Sequence, residues 1–142
     1  MVKWNKEQLN PSNNYWRVPM YRKLRVWKKS HEFTLEIYKQ TENFPSSERM
    51  SLTQQIRRAA YSIPMNIAEG YGTIHKKQLI NYLSIARGSS FEVSYQLLLA
   101  KELDYWDEET YERLNLQIVE IQKMISGLIR KLQQDNKNNP IK

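Results

Sequence analysis

Cationic and aromatic side chains interleave near the start of the chain in Tyr15-Trp16-Arg17 and Tyr21-Arg22-Lys23-Leu24-Arg25-Val26-Trp27-Lys28-Lys29, with no acid between Tyr15 and Ser30. Cations for phosphates alternating with flat rings for bases are what a groove for single-stranded nucleic acid requires. Trp16, Arg17, Tyr21, Arg22, Lys23, Arg25, Lys28 and Lys29 are therefore candidate nucleic-acid contacts, extended on later segments by Arg57, Arg58, Lys76, Lys77 and Arg87. A competing reading puts Trp27 in a core and uses Trp16 and Tyr21 to pin the N-terminal segment, because aromatic rings serve burial first.

A second constellation is polar. Ser62, Asn66 and Glu69 lie on one helical stripe that borders an apolar one, and Ser89, Glu92 and Gln96 repeat the arrangement further on. If the two segments pack side by side, Ser62, Asn66 and Glu69 meet Ser89 and Glu92, with Arg58 placed to neutralise a carboxylate. Such a network fixes helix or subunit register more than it adds stability. Glu69 and Glu92 as a general acid and base is the sharper alternative, but no pocket-forming loop, nucleophile or metal ligand accompanies them. His31 and His75 fall on different segments without the Glu-x-x-His spacing of di-iron bundles, and no phosphate loop, nucleophile elbow or His-Glu-x-x-His occurs. The expectation is a protein that is not an enzyme, with no metal and no cofactor.

Composition narrows the setting. The 142 residues suffice for one domain with a real core, and the absence of cysteine removes disulfides and thiolate zinc sites. There are 22 basic against 15 acidic side chains, a net charge of +7, which favours an anionic partner, RNA or DNA; a merely basic surface is the plain alternative. No apolar run approaches the ~20 residues of a membrane span, and the polar start Met1-Val2-Lys3-Trp4-Asn5-Lys6 lacks a signal-peptide core. A soluble, cytoplasmic protein with no membrane partner is expected.

The elements that must position these residues read as helices. Residues 1–23 show no sustained periodicity and form an extended basic and aromatic arm. The first helix runs from about Arg25 to Thr41, with Val26, Ser30, Phe33 and Ile37 in line. Phe44-Pro45-Ser46-Ser47 breaks it, either serine caps a second helix from about Ser47 to Ala68 or Tyr71, and Pro64 inside that helix removes one backbone bond for which the surroundings must compensate. Gly70-Tyr71-Gly72-Thr73 supplies a left-handed stop, and Thr73 a cap for a third helix from about Ile74 to Leu103.

The third helix carries two apolar stripes: Leu79, Tyr82, Leu83, Ala86, Ser90, Val93, Leu97 and Ala100 for a core, and Ile80, Phe91 and Leu98 for an oligomer interface. Alternatively the helix is central and buried on two sides within one chain. Asp107 caps a fourth helix whose seam is Leu114, Ile118, Ile121, Ile125, Leu128 and Leu132. The fold class is all-α, an antiparallel up-down four-helix bundle over residues 24–132 with an N-terminal extended arm; residues 133–142 read as a disordered polar tail.

The run Leu52-Thr53-Gln54-Gln55-Ile56-Arg57-Arg58-Ala59-Ala60 and Ser62-Ile63-Pro64-Met65-Asn66-Ile67-Ala68-Glu69-Gly70 resembles the four-helix-bundle proteins encoded in intervening sequences of bacterial 23S ribosomal RNA genes. Leu24-Arg25-Val26-Trp27, Ile37-Tyr38, Phe44-Pro45 and Tyr82-Leu83-Ser84-Ile85-Ala86-Arg87-Gly88-Ser89-Ser90-Phe91-Glu92 extend the resemblance over roughly Tyr21 to Leu132. It implies the bundle and, through related accessory subunits of reverse transcriptases in diversity-generating retroelements, a homopentameric barrel with a basic surface. Relatives tend to carry a basic residue where this chain has Thr73. Two functional expectations follow: a homo-oligomer that binds RNA or DNA with little sequence preference, or an accessory subunit docked on a reverse transcriptase.

Overall fold

The computed structural model describes residues 20–138. A 3-10 turn at Met20–Lys23 leads into α1 (Arg25–Gln40), a second 3-10 turn at Ser46–Glu48 precedes α2 (Leu52–Tyr71), and α3 (Lys76–Glu102) and α4 (Glu108–Asn138) complete the chain. Short connections reverse direction each time, so α1 packs on α2, α2 on α3, α3 on α4, and α4 returns to α1. The result is the expected all-α, up-down four-helix bundle.

One face of each helix makes the core. Val26, Phe33 and Ile37 from α1 meet Ile56, Ala60, Ile63 and Ile67 from α2, Leu83, Ala86, Val93 and Leu97 from α3, and Leu114, Ile118, Ile121 and Ile125 from α4, all essentially closed to solvent. The heptad seam of α4 holds as far as Ile125 and then rotates: Ile129 is buried, while Leu128 and Leu132 are half-buried. An α-helix turns every 3.6 residues, so a strict seven-residue repeat drifts by about 20° per heptad unless the helices supercoil.

Several boundaries differ from expectation. Residues 20–23 coil into a 3-10 turn instead of continuing an extended arm. The turn is held by the Leu24 N–H donating to the Tyr21 carbonyl at 3.0 Å and by the edge of Tyr21 against Trp27, ring centres 5.1 Å apart. Neither Ser46 nor Ser47 caps α2, which starts at Leu52. Glu48 does that work: its carboxylate accepts the Leu52 N–H at 3.0 Å and the Ser51 hydroxyl at 2.7 Å. Gly72 closes α2 in right-handed geometry, so no left-handed stop forms there. Thr73 does not cap α3; its hydroxyl donates back to the Gly70 carbonyl at 2.6 Å.

The left-handed stop is at the other end of α3. Asp104 has φ of 61° and sits in a Schellman turn, Tyr105 N–H to Ala100 and Asp104 N–H to Lys101, both at 2.9 Å. Asp107 caps α4 as expected, accepting the Thr110 N–H at 2.8 Å. Helix α4 runs past Leu132 to Asn138, into the stretch expected to be disordered, because nothing from Gln133 to Asn138 breaks a helix already nucleated on the bundle.

Candidate nucleic-acid interface

Antiparallel packing sets the starts of α1 and α3 beside the ends of α2 and α4. Exposed Arg22, Lys23, Arg25 and Lys28 enter at that end with α1, half-buried Lys76 and exposed Lys77 with α3, and exposed Arg130 and Lys131 with α4. Three sequence segments separated by some fifty residues each therefore contribute to one basic end. Sequence alone gives Arg130 and Lys131 no more than a place in the last turns of a helix, where the dipole favours cations; the signal that adds them to the site is antiparallel topology itself.

Neighbouring cations are not equivalent. Lys29 donates to the Glu120 carboxylate of α4 at 2.6 Å, and Arg25 lies 3.7 Å from the same oxygen, so Glu120 takes up much of that charge. The Lys29 hydrogen bond holds the Glu120 carboxyl below the usual carboxylate range against the opposing effect of burial. Lys28 points outward and makes no ion pair among the described residues.

Tyr21 and Trp27 are not an open stacking platform. Trp27 is half-buried against the core, stacks on His31 with ring centres 4.9 Å apart and 10° between planes, and receives Tyr21 edge-on. These aromatics pin the entry of the chain to the bundle, the competing reading raised above. Trp16 and Arg17 lie outside the described residues.

Arg57, Arg58 and Arg87 are set apart from the basic end. Arg57 is tied to α1: Nε donates to Thr41 Oγ1 at 2.9 Å, Nη2 to the Tyr38 carbonyl at 3.3 Å, and the guanidinium lies 4.7 Å over the Tyr38 ring. Arg58 is exposed beside it. Arg87 sits midway along α3 with its guanidinium 5.7 Å from the Phe91 ring centre.

The polar network is smaller than expected. Ser62 and Ser89 hydroxyls meet across α2 and α3 at 2.9 Å, and buried Asn66 donates to the Ser62 carbonyl at 2.7 Å and the Ser62 hydroxyl at 3.0 Å. Arg58, Glu69 and Glu92 are exposed and take no part in it, because they lie just far enough round their helices to reach water. Separated and solvated, Glu69 and Glu92 do not form an acid/base pair. Among the described residues no group of three or more His, Asp or Glu is placed to hold a metal ion.

Of the second stripe on α3, Phe91 is 53% and Leu98 36% exposed, whereas Ile80 is half-buried against the core of its own chain. Tyr95, 63% exposed, lies beside Phe91 and Leu98 and widens the apolar strip. Among the described residues, no helix is long and apolar enough to cross a membrane.

The model of the 23S rRNA-intervening sequence protein family matches residues 22–127. A crystal structure of a protein of unknown function from the S23 ribosomal protein family of Bacteroides thetaiotaomicron is 32% identical, superposes with a TM-score of 0.67, and is matched over 74% of this chain and 95% of that one. No curated protein matches the chain.

Proposed function

Because the chain belongs to the 23S rRNA-intervening sequence protein family, whose bundle it shares, we propose that it acts as a non-enzymatic, oligomeric nucleic-acid-binding protein of the cytoplasm, contacting RNA or DNA through phosphates. The observation that carries this reading is the basic end, where cations from the starts of α1 and α3 and the end of α4 converge. Oligomerisation repeats that end by symmetry, so weak phosphate contacts add up along one strand. Contacts of this kind read charge rather than bases, and sequence preference is correspondingly weak.

The exposed strip of Phe91, Tyr95 and Leu98 favours a protein partner as well. By the family resemblance that partner is first a further copy of the chain, in a pentamer, and secondarily a reverse transcriptase served by the bundle as an accessory subunit.

Mass by light scattering, with and without short single-stranded RNA and DNA at low and high salt, tests both. An oligomer that takes up nucleic acid at low salt and releases it at high salt is expected. An oligomer that ignores both ligands refutes the binding role and leaves the accessory role. Phe91→Glu or Leu98→Glu is expected to dissociate the oligomer with helicity retained; full assembly of either variant rules out this strip as the interface.

A further inference from the structure

On the flank of the bundle, away from the basic end, a groove of about 400 Å³ runs between the last turn of α1 and the first half of α2. Tyr38, Arg49, Thr53, Arg57, Arg58 and Tyr61 line it, and among the described residues no carboxylate does. Arg57 is fixed in place by Thr41 and the Tyr38 carbonyl, which leaves its Nη1 hydrogens uncommitted among the described residues. Arg49 and Arg58 are exposed and free of ion pairs among the described residues. Three guanidiniums without a counter-charge mark a site for an anion, and their planar forks suit phosphate oxygens.

Two further features distinguish the groove from a basic surface. Tyr61 is 39% exposed and brings an aromatic ring beside the cations, whereas one face of the Tyr38 ring is already covered by Arg57. Thr53 is only 9% exposed, and its hydroxyl has no hydrogen-bond partner among the described residues. A buried hydroxyl left unpaired is costly, and a ligand atom that reached it through a shift of the lining side chains would relieve that cost. The volume falls in the roughly 300–1,000 Å³ range of small-ligand sites.

We propose that this groove seats one nucleotide of a single-stranded nucleic acid, its phosphate on Arg49 and Arg58 with Arg57 behind them, its base against Tyr61, and a polar atom on the Thr53 hydroxyl. The proposal takes its ligand class from the nucleic-acid reading but names a separate place. Tyr38 lies thirteen residues along α1 from Arg25, a rise of about 20 Å. A dinucleotide, which rises only about 3.4 Å per stacked nucleotide along a strand, does not span that gap. A dinucleotide therefore occupies one place or the other, never both, and shifts at Tyr61 and Arg58 report the groove.

The test is titration of the full chain with a 5′-phosphorylated dithymidylate, followed by the chemical shifts of labelled tyrosine and arginine side chains. Saturable binding is expected to move the Tyr61 and Arg58 signals. Arg49→Glu with Arg58→Glu weakens it by about tenfold or more, and Tyr61→Ala by about tenfold. The Tyr61 and Arg58 shifts persist in Arg22→Ser with Lys23→Ser, because those two side chains belong to the basic end and not to the groove. These are exposed or half-buried side chains, and circular dichroism confirms that each variant stays folded. If longer strands bind but the dinucleotide does not, or if the groove variants bind it as the natural chain does, the groove assignment is overturned while the broader binding role stands. If neither dinucleotide nor longer strand binds, both fail. Inorganic phosphate, or a phosphotyrosine peptide, binding as tightly as the dinucleotide would overturn the assignment to a nucleotide.

Discussion

Pro64 stands thirteen residues into α2 with no N–H to give, so the Ala60 carbonyl one turn earlier loses its helical partner. The replacement comes from another helix. Thr34 Oγ1 of α1 lies 3.1 Å from the Ala60 oxygen and 2.8 Å from its own helix's Ser30 oxygen, sharing one proton between them. Thr34 is 6% exposed and Ala60 fully buried, so water does not substitute. Thr34→Val keeps the shape and removes the hydroxyl, and an orphaned buried carbonyl costs about 1–3 kcal/mol. Because the Ser30 oxygen holds part of the proton, the lower half of that range, about 1–2 kcal/mol, is expected. In a Pro64→Ala background the new N–H can satisfy Ala60, and the same Thr34→Val change then becomes cheaper by about 1 kcal/mol. Urea unfolding of the four members of this cycle, at one fixed protein concentration, measures the coupling. Equal costs of Thr34→Val in both backgrounds, to within about 0.3–0.5 kcal/mol, would refute the idea that Thr34 compensates for Pro64.

Further expectations concern binding and packing. Lys28→Ser should lower the salt dependence of single-strand binding by about 0.7 in the log–log slope, whereas Glu120→Gln, which releases Lys29, should strengthen binding; anisotropy titrations over salt decide, and a Glu120→Gln protein that binds more weakly contradicts the pairing described. Lys76→Glu with Lys77→Glu at the start of α3 should raise the melting temperature while weakening nucleic-acid binding, the two read on one preparation. Gly127→Ala in α4, where an added Cβ meets nothing within 4 Å, should stabilise by about 0.5–1 kcal/mol. Gly70→Ala should do the reverse: its Cβ would lie 3.0 Å from both Leu79 Cδ1 and Tyr82 Cβ, and overpacking of about 1–3 kcal/mol exceeds the gain in helix propensity.

Periodicity made the four helices and most of the core readable in advance, because burial of Ile56, Ile63, Ile67 and the line from Leu114 to Ile125 follows from spacing alone. Ends were less readable. Glu48 caps α2 from four residues upstream, and Asp104 takes the left-handed turn for which Gly72 was the natural candidate; both choices depend on tertiary neighbours, Tyr105 bonding Glu48 at 3.2 Å among them. The site divided along the same line. Residue type distinguished cations from core but not Lys28 from Lys29, since only the approach of α4 brings Glu120 to one of them. For Thr34 the spacing offered only a place flanking the apolar face of α1, because its role is set by a proline thirty residues away on another helix.

Charge along the sequence looks mixed, and the up-down topology sorts part of it, although Lys39, Arg49 and Lys101 stand at the acidic end and Glu69 at the basic one. Glu42, Glu48, Glu102, Asp104, Asp107, Glu108 and Glu109 collect at the end opposite the cations, around the Phe44, Tyr105 and Trp106 cluster where the α1–α2 and α3–α4 connections meet. Helix dipoles explain only part of this. Acids at the starts of α2 and α4, and Arg130 and Lys131 towards the end of α4, sit where the dipole favours them. The starts of α1 and α3 are the opposite case: no acid in the first turn, no side-chain cap on Leu24 or His75, and Arg25, Lys28, Lys76 and Lys77 in or beside that first turn. Each such cation opposes the dipole by about 0.3–1 kcal/mol, so the stability of the isolated chain gives no reason for them. An anionic partner at this end reverses the sign. Phosphates would be attracted at once by the side chains and by the uncapped N–H groups of two helices, which is why the basic end, more than the total charge of +7, supports the nucleic-acid reading.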